Sequence, residues 1–404
     1  MKAVGVIVEY NPFHNGHAFH VKKAKEARKA DVVIAVMSGN FLQRGEPALV
    51  SKWARTKMAL LGGVDLVFEL PYRYATQQAE IFANGAISIL DGAGCDSFCF
   101  GSESGDISLF YRTLDFLENN QTLFDEQIKS NMKTGVSYPK AISLSFQQLA
   151  NSEEQLNLTK PNNILGFQYL KSVRKQHSRL EPITIARKNA NYHDEHFASE
   201  TIASATSIRK ALFAAEKSHP TIAQYVPEPT IRLLNEYYHE TGTFHQWENY
   251  WSFLQFRIIQ STSAELREIY EVEEGLENRL KAAALESCNF HEFMEKIKTK
   301  RYTWTRLQRI CVHILTNAKK SEMASPPEKA TYLRLLGMTQ MGRAYLNKMK
   351  SKLTLPLISK ISSCKQKEIL LDIKAAQIYS FGLPEHLKNE MLMQEYKQTP
   401  IIIQ

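Results

Sequence analysis

The sequence predicts an α/β fold, with an N-terminal domain built on a parallel β-sheet and a mostly α-helical C-terminal domain. Short apolar runs, several of them rich in valine, recur along the first half of the chain. Each run ends in a polar or glycine-containing loop and is followed by a segment with helical periodicity. This alternation is typical of a parallel sheet with right-handed crossovers. From about His219 the remainder has helical periodicity, with basic and aromatic residues interleaved.

The individual elements follow from this alternation and from helix-end signals. Ser51 suits the N-cap of a helix that ends at Gly62-Gly63, and Pro161 suits the first turn of another helix. The predicted strands are residues 4–8, 31–37, 64–70, 97–100 and 183–186. The predicted helices of this half are residues 18–30, 51–61, 76–90 and 210–217, with further helices starting at Asp106 and Pro161 and within 121–150.

Length and charge limit the domain count and the type of partner. A chain of 404 residues suits two domains, here predicted as residues 1–218 and 219–404. The formal net charge of +8 and a pI near 9.0 favour a polyanionic partner such as RNA. Charge alone does not choose among RNA, DNA and a membrane surface.

The five cysteines form no C-x-x-C pair, and their odd number argues against a disulfide framework. We expect reduced thiols of an intracellular protein. The N-terminus leads directly into a predicted strand, and no apolar run approaches the length of a membrane span. The sequence therefore predicts a cytoplasmic protein.

The loop after the first predicted strand carries the clearest chemical pattern. Pro12 interrupts the strand, and the H-x-G-H pattern of His14, Gly16 and His17 follows at the start of a helix. A strand, a tight loop and a helix N-terminus in this order form an anion site, because free amides and the helix dipole point at the loop. Gly16 lets a bulky ligand approach the backbone. The two imidazoles, three residues apart, can both donate hydrogen bonds to a phosphate.

Two other interpretations of these histidines remain. His14 and His17 could merely cap a helix and line a surface loop, although their position directly after the first strand favours ligand binding. His20 extends the series and suggests a metal site. Because no cysteine or carboxylate cluster nearby completes a tetrahedral set, we predict no metal site here.

Two further loops, residues 38–45 and 101–105, follow predicted strands. Ligands of parallel sheets bind beyond the carboxyl ends of the strands, so these loops and the first one would share one rim. Each could equally be an ordinary turn, since glycine and serine are common turn residues. In the polar loop 191–196, His193 and His196 could ligate a metal, act as acid–base groups or simply be solvated.

A second signature, ASATSIR at residues 203–209, precedes a predicted helix. The hydroxyls of Ser204, Thr206 and Ser207 could serve only as helix caps. Alternatively, hydroxyls and the Arg209 guanidinium could surround a triphosphate, which arginine can bind with two hydrogen bonds.

Basic and aromatic residues are concentrated in residues 296–309, which we call the basic segment. They could be solvated helix faces with aromatic residues in the core. Cations for phosphates and aromatic rings for stacking are also what an RNA surface needs. The residues predicted to bind RNA are Lys300, Arg301, Trp304, Arg306 and Arg309.

The two signatures, in this order and about one domain apart, resemble those of nucleotidylyltransferases, which bind ATP in a Rossmann-like domain. That superfamily usually has a second serine where Ala205 stands. Longer stretches are similar to the bacterial tRNA(Met) cytidine acetate ligases. They are VGVIVEYNPFHNGHAFH, MSGNFLQRGEPALVSKWARTKMAL, GVDLVFELPY, GSESGD, KPNNILGFQYL, YHD, IASATSIRKAL and, in the C-terminal part, KRYTWTRLQRI.

This resemblance implies an enzyme that uses ATP, with Mg²⁺, to convert acetate to acetyl-adenylate and then acetylates N4 of the wobble cytidine of elongator tRNA(Met). The basic helical domain would hold the anticodon stem-loop, with no membrane or DNA partner. Catalytic roles fall to His14, His17 and Arg209. The implied ATP-binding residues are Ile7, Val8, Glu9, Tyr10, Asn11, Pro12, Phe13, His14, Asn15, Gly16, His17, Ala18, Phe19, His20, Gly101, Ser102, Asn162, Arg187, Lys188, Ser204, Thr206 and Arg209.

Two other functions compete with this one. A nucleotidylyltransferase of the NAD or coenzyme A pathways would share the N-terminal signatures but would not need the basic C-terminal half. A non-enzymatic tRNA-binding protein with a vestigial nucleotide fold would bind tRNA without turning over ATP.

Overall fold

The structure, a computed structural model, describes residues 1–150, 155–187, 203–214, 222–323 and 329–404. Its strands are β1 (Ala3–Val8), β2 (Val32–Ser38), β3 (Leu66–Leu70), β4 (Ser97–Ser102), β5 (Glu181–Ala186), β6 (Leu333–Thr339), β7 (Leu357–Ile358) and β8 (Ile401–Ile403). The helices of the first half are α1 (Asn15–Arg28), α2 (Lys52–Leu61), α3 (Tyr72–Ala75), α4 (Ala79–Gly92), α5 (Ile107–Asn119), α6 (Gln121–Lys133), α7 (Tyr138–Leu149), α8 (Pro161–Lys175) and α9 (Ala205–Ala214). Those of the second half are α10 (Glu228–Thr241), α11 (Trp251–Gln260), α12 (Ser263–Arg267), α13 (Leu276–Glu286), α14 (Phe290–Ile297), α15 (Trp304–Leu315), α16 (Lys320–Met323), α17 (Gln340–Met349), α18 (Ile369–Ser380) and α19 (Glu385–Lys397).

The strands form one sheet in the order β5-β4-β1-β2-β3-β6-β7, with β8 also paired to β6. Strands β1 to β5 are mutually parallel, as predicted, and β6 lies antiparallel to β3. The chain places β2 and β3 on one side of β1, and β4 and β5 on the other. The strand order therefore reverses beside β1, which opens a crevice at the carboxyl ends of β1 and β4.

Helices cover both faces of this sheet. All seven residues of β2 are buried, which is why its sequence is continuously apolar rather than alternating. One face packs against the helix side chains of Phe82, Phe110 and Phe167, and the other against Val21 and Met58. The predicted α/β class, with a parallel sheet between helices, is confirmed.

Two helix boundaries differ from the predictions because of their caps. The helix predicted at residues 18–30 begins at Asn15, since the His14 side chain caps it. The helix predicted from Lys210 begins five residues earlier, at Ala205, where the Ser204 hydroxyl accepts a hydrogen bond from the Ser207 amide at 3.0 Å. The helix predicted over 76–90 is α4, shifted toward the C-terminus, and the short helix α3 that precedes it was not predicted.

The C-terminal part is mostly helical, as predicted, but it also contains three strands that were not predicted. Strand β6 extends the N-terminal sheet by pairing with β3, with Leu66 opposite Met338 and Glu69 opposite Arg334. Strands β7 and β8 then pair with β6. A short apolar run such as that of β6 is compatible with a helix or a strand, and only its neighbour in the sheet decides. The division at 218/219 stays a prediction.

A buried ion network attaches the end of the chain to the sheet. The ammonium group of Lys52 lies 2.7 Å from both carboxylate oxygens of Glu69 and 2.8 Å from a carboxylate oxygen of Glu395. Arg334 adds a second cation 3.8 Å from Glu395, and its side chain is also buried. Because unpaired buried charges are costly, this network requires α2, β3, β6 and α19 to meet.

The helices between residues 247 and 323 share a separate apolar core around Trp251, Phe293 and Leu307, which Tyr379 of α18 joins. Among the described residues, no helix combines the length and the apolar character needed to cross a membrane.

Candidate active site

One cavity of about 280 Å³ lies at the crevice beside β1 and brings the two signatures together. Most of the predicted ATP-binding residues line it, although they come from five separate parts of the chain. These are Ile7, Val8, Glu9, Tyr10, Asn11, His14, Gly16, His17, Phe19, His20, Gly101, Asn162, Arg187, Ser204, Thr206 and Arg209.

The remaining predicted ATP-binding residues lie elsewhere or are not described. Phe13 is in the apolar core under α1, and Asn15 donates a hydrogen bond to the Gln224 carbonyl at 2.9 Å. Ser102 is buried, with its hydroxyl 2.6 Å from that of Thr184. Pro12 and Ala18 do not line the cavity. Lys188 lies outside the described residues.

The two histidines of the first signature both cap α1 and line the cavity. The Gly16 amide donates to His14 Nδ1 at 3.1 Å, and the His14 amide donates to His17 Nδ1 at 3.2 Å. The two rings stack with their centroids 3.7 Å apart. Capping and ligand binding are thus compatible, because capping uses only one nitrogen of each ring.

These hydrogen bonds fix the protonation of both rings. Since each Nδ1 accepts a backbone hydrogen bond, a neutral ring carries its proton on Nε2. Burial, followed by the charges of Arg187 and Arg209, lowers the pKa of His14 to about 3. Burial also lowers the pKa of His17 well below its usual value, and His14 and Arg187 add to this effect. Both histidines are therefore neutral hydrogen-bond donors near pH 7.

Besides the predicted approach of a ligand, a steric reason also favours glycine at position 16. A Cβ at this position would lie 2.9 Å from the Cε1 atom of the His14 ring. Any larger residue would displace the ring from its capping position. The close fit of backbone to imidazole is what requires glycine here.

Arg209 connects the two signatures directly. Its guanidinium donates to the Asn11 carbonyl at 3.1 Å and forms an ion pair with Glu46 at 3.2 Å. Asn11 in turn accepts a hydrogen bond from the Leu49 amide at 2.7 Å. The bend after β1, the loop after β2 and the start of α9 are thereby held together around the cavity.

The opposite rim is formed by the ends of β4 and β5. Gly101 and Arg187 line the cavity there, and an Arg187 nitrogen lies 3.4 Å from the side-chain oxygen of Asn162. Asn162 also donates to Glu103 at 2.7 Å.

His20, the third histidine of this stretch, is also neutral near pH 7. Burial, and then the charge of Arg187, lowers the pKa of His20 to about 4. The buried Nε2 of His20 has no hydrogen-bond partner among the described residues.

The sequence-based site residues missed one part of the lining. Residues 42–46 of the loop after β2 form a wall of the cavity, with Gln43, Arg44 and Glu46 among them. Their loop, residues 38–45, is one of those predicted to share the rim with the first loop, although none of its residues is among the predicted site residues. Phe82, Phe100 and Tyr169 supply aromatic surface that no motif indicated.

The described residues contain no group of three or more histidine, cysteine, aspartate or glutamate side chains that could hold a metal ion. His193 and His196, considered above as acid–base groups, lie outside the described residues.

The basic segment is more neutralised than its composition suggests. The side chain of Arg309 is nearly buried and donates two hydrogen bonds to the carboxylate of Glu271, at 2.8 and 3.0 Å. Arg306 pairs with Glu273 at 3.1 Å and Arg301 with Glu274 at 2.7 Å. Lys300 is exposed, and Trp304 begins α15 in a partly exposed position.

Fold and site together define a class: α/β proteins whose switch-point cavity is lined by neutral histidines and by arginines. A model of the HIGH Nucleotidyl Transferase family matches residues 1–395, and the chain belongs to this family. It is 49% identical over 403 residues to the tRNA(Met) cytidine acetate ligase of Lysinibacillus sphaericus, covering 99% of this chain and 100% of the relative. It is 48% identical over 405 residues to the Bacillus subtilis protein of the same name, covering 99% and 97%.

Two crystal structures of Thermotoga maritima TmcAL are similar over the whole fold. The apo structure (form I) has a TM-score of 0.92 and 34% identity, covering 100% of both chains. The structure bound with alpha-thio ATP has a TM-score of 0.88 and 33% identity, covering 100% of this chain and 99% of the other.

Proposed function

We propose that this protein is an ATP-dependent ligase that activates acetate as acetyl-adenylate and transfers the acetyl group to N4 of the wobble cytidine of elongator tRNA(Met). The observation that carries the proposal is that His14, His17 and Arg209 line one cavity at the switch point of the sheet. The names of the full-length relatives and the nucleotide bound to the similar T. maritima chain support it.

In this proposal, the triphosphate lies against the start of α1. The Nε2–H groups of His14 and His17 donate to phosphate oxygens, and Arg187 and Arg209 contribute positive charge. ATP would enter as its magnesium complex, and Mg²⁺ would supply further positive charge to the phosphates. Neutral histidines suit this task because they donate hydrogen bonds to the developing charge without changing their own protonation state.

Acetate needs only to be held in line with the α-phosphorus, because a carboxylate is already an anionic nucleophile. An acetate oxygen forms a bond to that phosphorus, and the bond to the pyrophosphate oxygen breaks. The acetyl-adenylate is a mixed anhydride. It is reactive enough to acylate the cytosine amine, whose lone pair is delocalised into the ring, provided that water is excluded.

The target base has to leave its stack to reach the cavity. We assign the anticodon stem-loop to the basic helical part, residues 219–404, and the chemistry to residues 1–218. The proposed contacts are Lys300, Arg301, Trp304 and Arg306, whereas Arg309, predicted with them, is buried against Glu271. We propose that the enzyme acts in the cytoplasm and has no membrane or DNA partner.

The test is a direct assay. The protein is incubated with ATP, labelled acetate and bulk tRNA, and the RNA is digested to nucleosides. We expect labelled N4-acetylcytidine, and pyrophosphate release that depends on acetate. Pyrophosphate release that instead requires a nucleotide or phosphopantetheine substrate would contradict the proposal. Tight tRNA binding with no ATP turnover would also contradict it.

A further inference from the structure

Glu9 is a carboxylate in the cavity that the phosphate chemistry does not use. It directly follows β1 and lines the cavity five residues before His14. One side-chain oxygen, Oε1, accepts a hydrogen bond from the Gln43 amide at 2.8 Å and lies 3.5 Å from the Ser38 hydroxyl. Its backbone carbonyl accepts from Arg55 at 2.7 Å. The carboxylate is therefore fixed at both its backbone and its side chain.

The other oxygen, Oε2, is available to a ligand. Within the described part of the chain, no hydrogen bond and no ion pair reaches it. Burial raises the pKa of Glu9, while the Gln43 amide, Arg44 and Arg55 oppose the rise and Glu46 adds to it. An anionic acceptor of this kind would repel a triphosphate rather than bind it.

The surroundings of Glu9 suit a nucleobase with an amino group. Tyr169 lines the same cavity as Glu9, and burial, followed by the charge of Glu9, raises the pKa of Tyr169 well above its usual value. Tyr169 lines the cavity together with Phe100, with ring centroids 5.8 Å apart. Aromatic rings stack on bases, and a glutamate accepts from the exocyclic N4 amine of cytosine.

The chemistry of acyl transfer places the amine in this part of the cavity. The acetyl carbon of acetyl-adenylate is two bonds from the α-phosphorus, so its attacker must lie close to the bend that carries His14. Attack by the cytosine amine forms the bond from N4 to the acetyl carbon and breaks the bond from that carbon to the phosphate oxygen. AMP leaves with the electron pair of that bond, and N4 must lose one proton.

We propose that the Glu9 carboxylate recognises the target cytosine by accepting a hydrogen bond from its N4 amine and then takes the N4 proton during acetyl transfer. This inference rests on the proposed function and gives Glu9 a role beyond the ATP-binding range implied by the sequence resemblance. Adenine also carries an exocyclic amine, but nucleotide binding needs only an acceptor there. Removal of a proton is required only of the amine that is acylated.

The test separates the two half-reactions of a Glu9→Gln variant. Glutamine keeps an oxygen for the Gln43 amide but cannot take a proton. Acetate-dependent pyrophosphate exchange with ATP reports activation, and single-turnover transfer to tRNA reports the second step. We expect transfer to fall 10²- to 10⁴-fold, the usual contribution of a general base, while exchange falls by less than about fivefold. AMP should then accumulate from hydrolysis of acetyl-adenylate.

Two further variants sharpen the assay. Glu46→Gln removes the other carboxylate in the lining, which pairs with Arg209, and should lower exchange more than transfer. Glu9→Asp restores a carboxylate and should recover part of the transfer rate. Wild-type transfer should slow as the pH falls through the raised pKa of Glu9, which Arg44, Glu46, Arg55 and Tyr169 face, and Glu9→Gln should lose this dependence.

The remaining outcomes overturn the inference in different ways. If Glu9→Gln lowers exchange and transfer equally, or raises the KM for ATP in exchange, Glu9 serves the nucleotide. If transfer is unchanged, the carboxylate has no part in it. If the wild-type protein shows no acetate-dependent exchange, the proposed function itself fails, and the role of Glu9 fails with it.

Discussion

The switch-point cavity and the basic segment are both predicted to bind phosphates, but they differ in how many of their donor groups are already paired within the protein. In the cavity, His14 and His17 use only Nδ1 for capping and keep Nε2 as a donor. In the basic segment, three arginines are each paired with a glutamate from residues 271–274. The H-x-G-H motif thus predicted side chains that keep a free hydrogen-bond donor. The basic composition of residues 296–309 predicted positive charges but not the glutamates that neutralise them.

The largest expected effect tests whether Arg309 belongs to the fold. Arg309→Ala would leave Glu271 buried without its cation, and breaking such a pair costs about 3–5 kcal/mol. We expect this loss in the free energy of unfolding measured with urea. Arg301→Ala, which breaks an exposed pair, is the matched control and should cost about 0–1 kcal/mol. Equal effects of the two substitutions would show that Arg309 is not structurally different from its neighbours.

The second prediction separates capping from ligand binding in the cavity. His17→Asn places an oxygen near the position of Nδ1 but removes the Nε2 donor, so acetate-dependent pyrophosphate exchange should fall about 10²- to 10³-fold with little loss of stability. His17→Gln, which places a donor near Nε2, should keep more activity while weakening the cap. Thr262→Ala, in an exposed capping box, controls for capping alone. If His17→Asn keeps full exchange activity, the ring serves only as a cap.

The third prediction concerns pH. His14 has a pKa of about 3 in the fold against 6.5 when unfolded, so only the unfolded state binds this proton between those values. The free energy of unfolding should therefore decrease as the pH falls below 6.5, by up to about 1.4 kcal/mol per pH unit for each such histidine. His14→Asn should reduce this slope between pH 6 and pH 5. Equal slopes for wild type and His14→Asn would contradict a neutral, buried His14.

The smallest expected effect is on RNA binding by the basic segment. Changing Lys300, Arg301 and Arg306 together to alanine should weaken tRNA binding and reduce the salt slope by about 0.7–0.9 per lost phosphate contact. Changing Glu273 and Glu274 to glutamine should have the opposite effect on affinity, because it releases two arginines. Fluorescence titrations at several salt concentrations measure both. An unchanged slope in the triple variant would assign the RNA to another surface.

Sequence reasoning located the first signature closely because its signals are local. The strand 4–8, the break at Pro12 and the histidines at the start of a helix depend on contacts within a few residues. The same holds for Ser51, which caps α2 by accepting from the Ala54 amide at 3.2 Å. Sequence reasoning fails where the partner of an element is distant in the chain. The apolar run of β6 did not predict that it would pair with β3.

The sequence alone determined the alternation of strands and helices and the histidine-bearing bend, because periodicity and capping act between near neighbours. Only the tertiary structure decided that Arg209 meets Asn11 and Glu46, that Lys52 is neutralised by Glu69 and Glu395, and that Glu9 faces a cavity. Those contacts join residues far apart in the chain. The free energy of burying a charge or a hydrogen-bonding group depends on which distant partner arrives beside it.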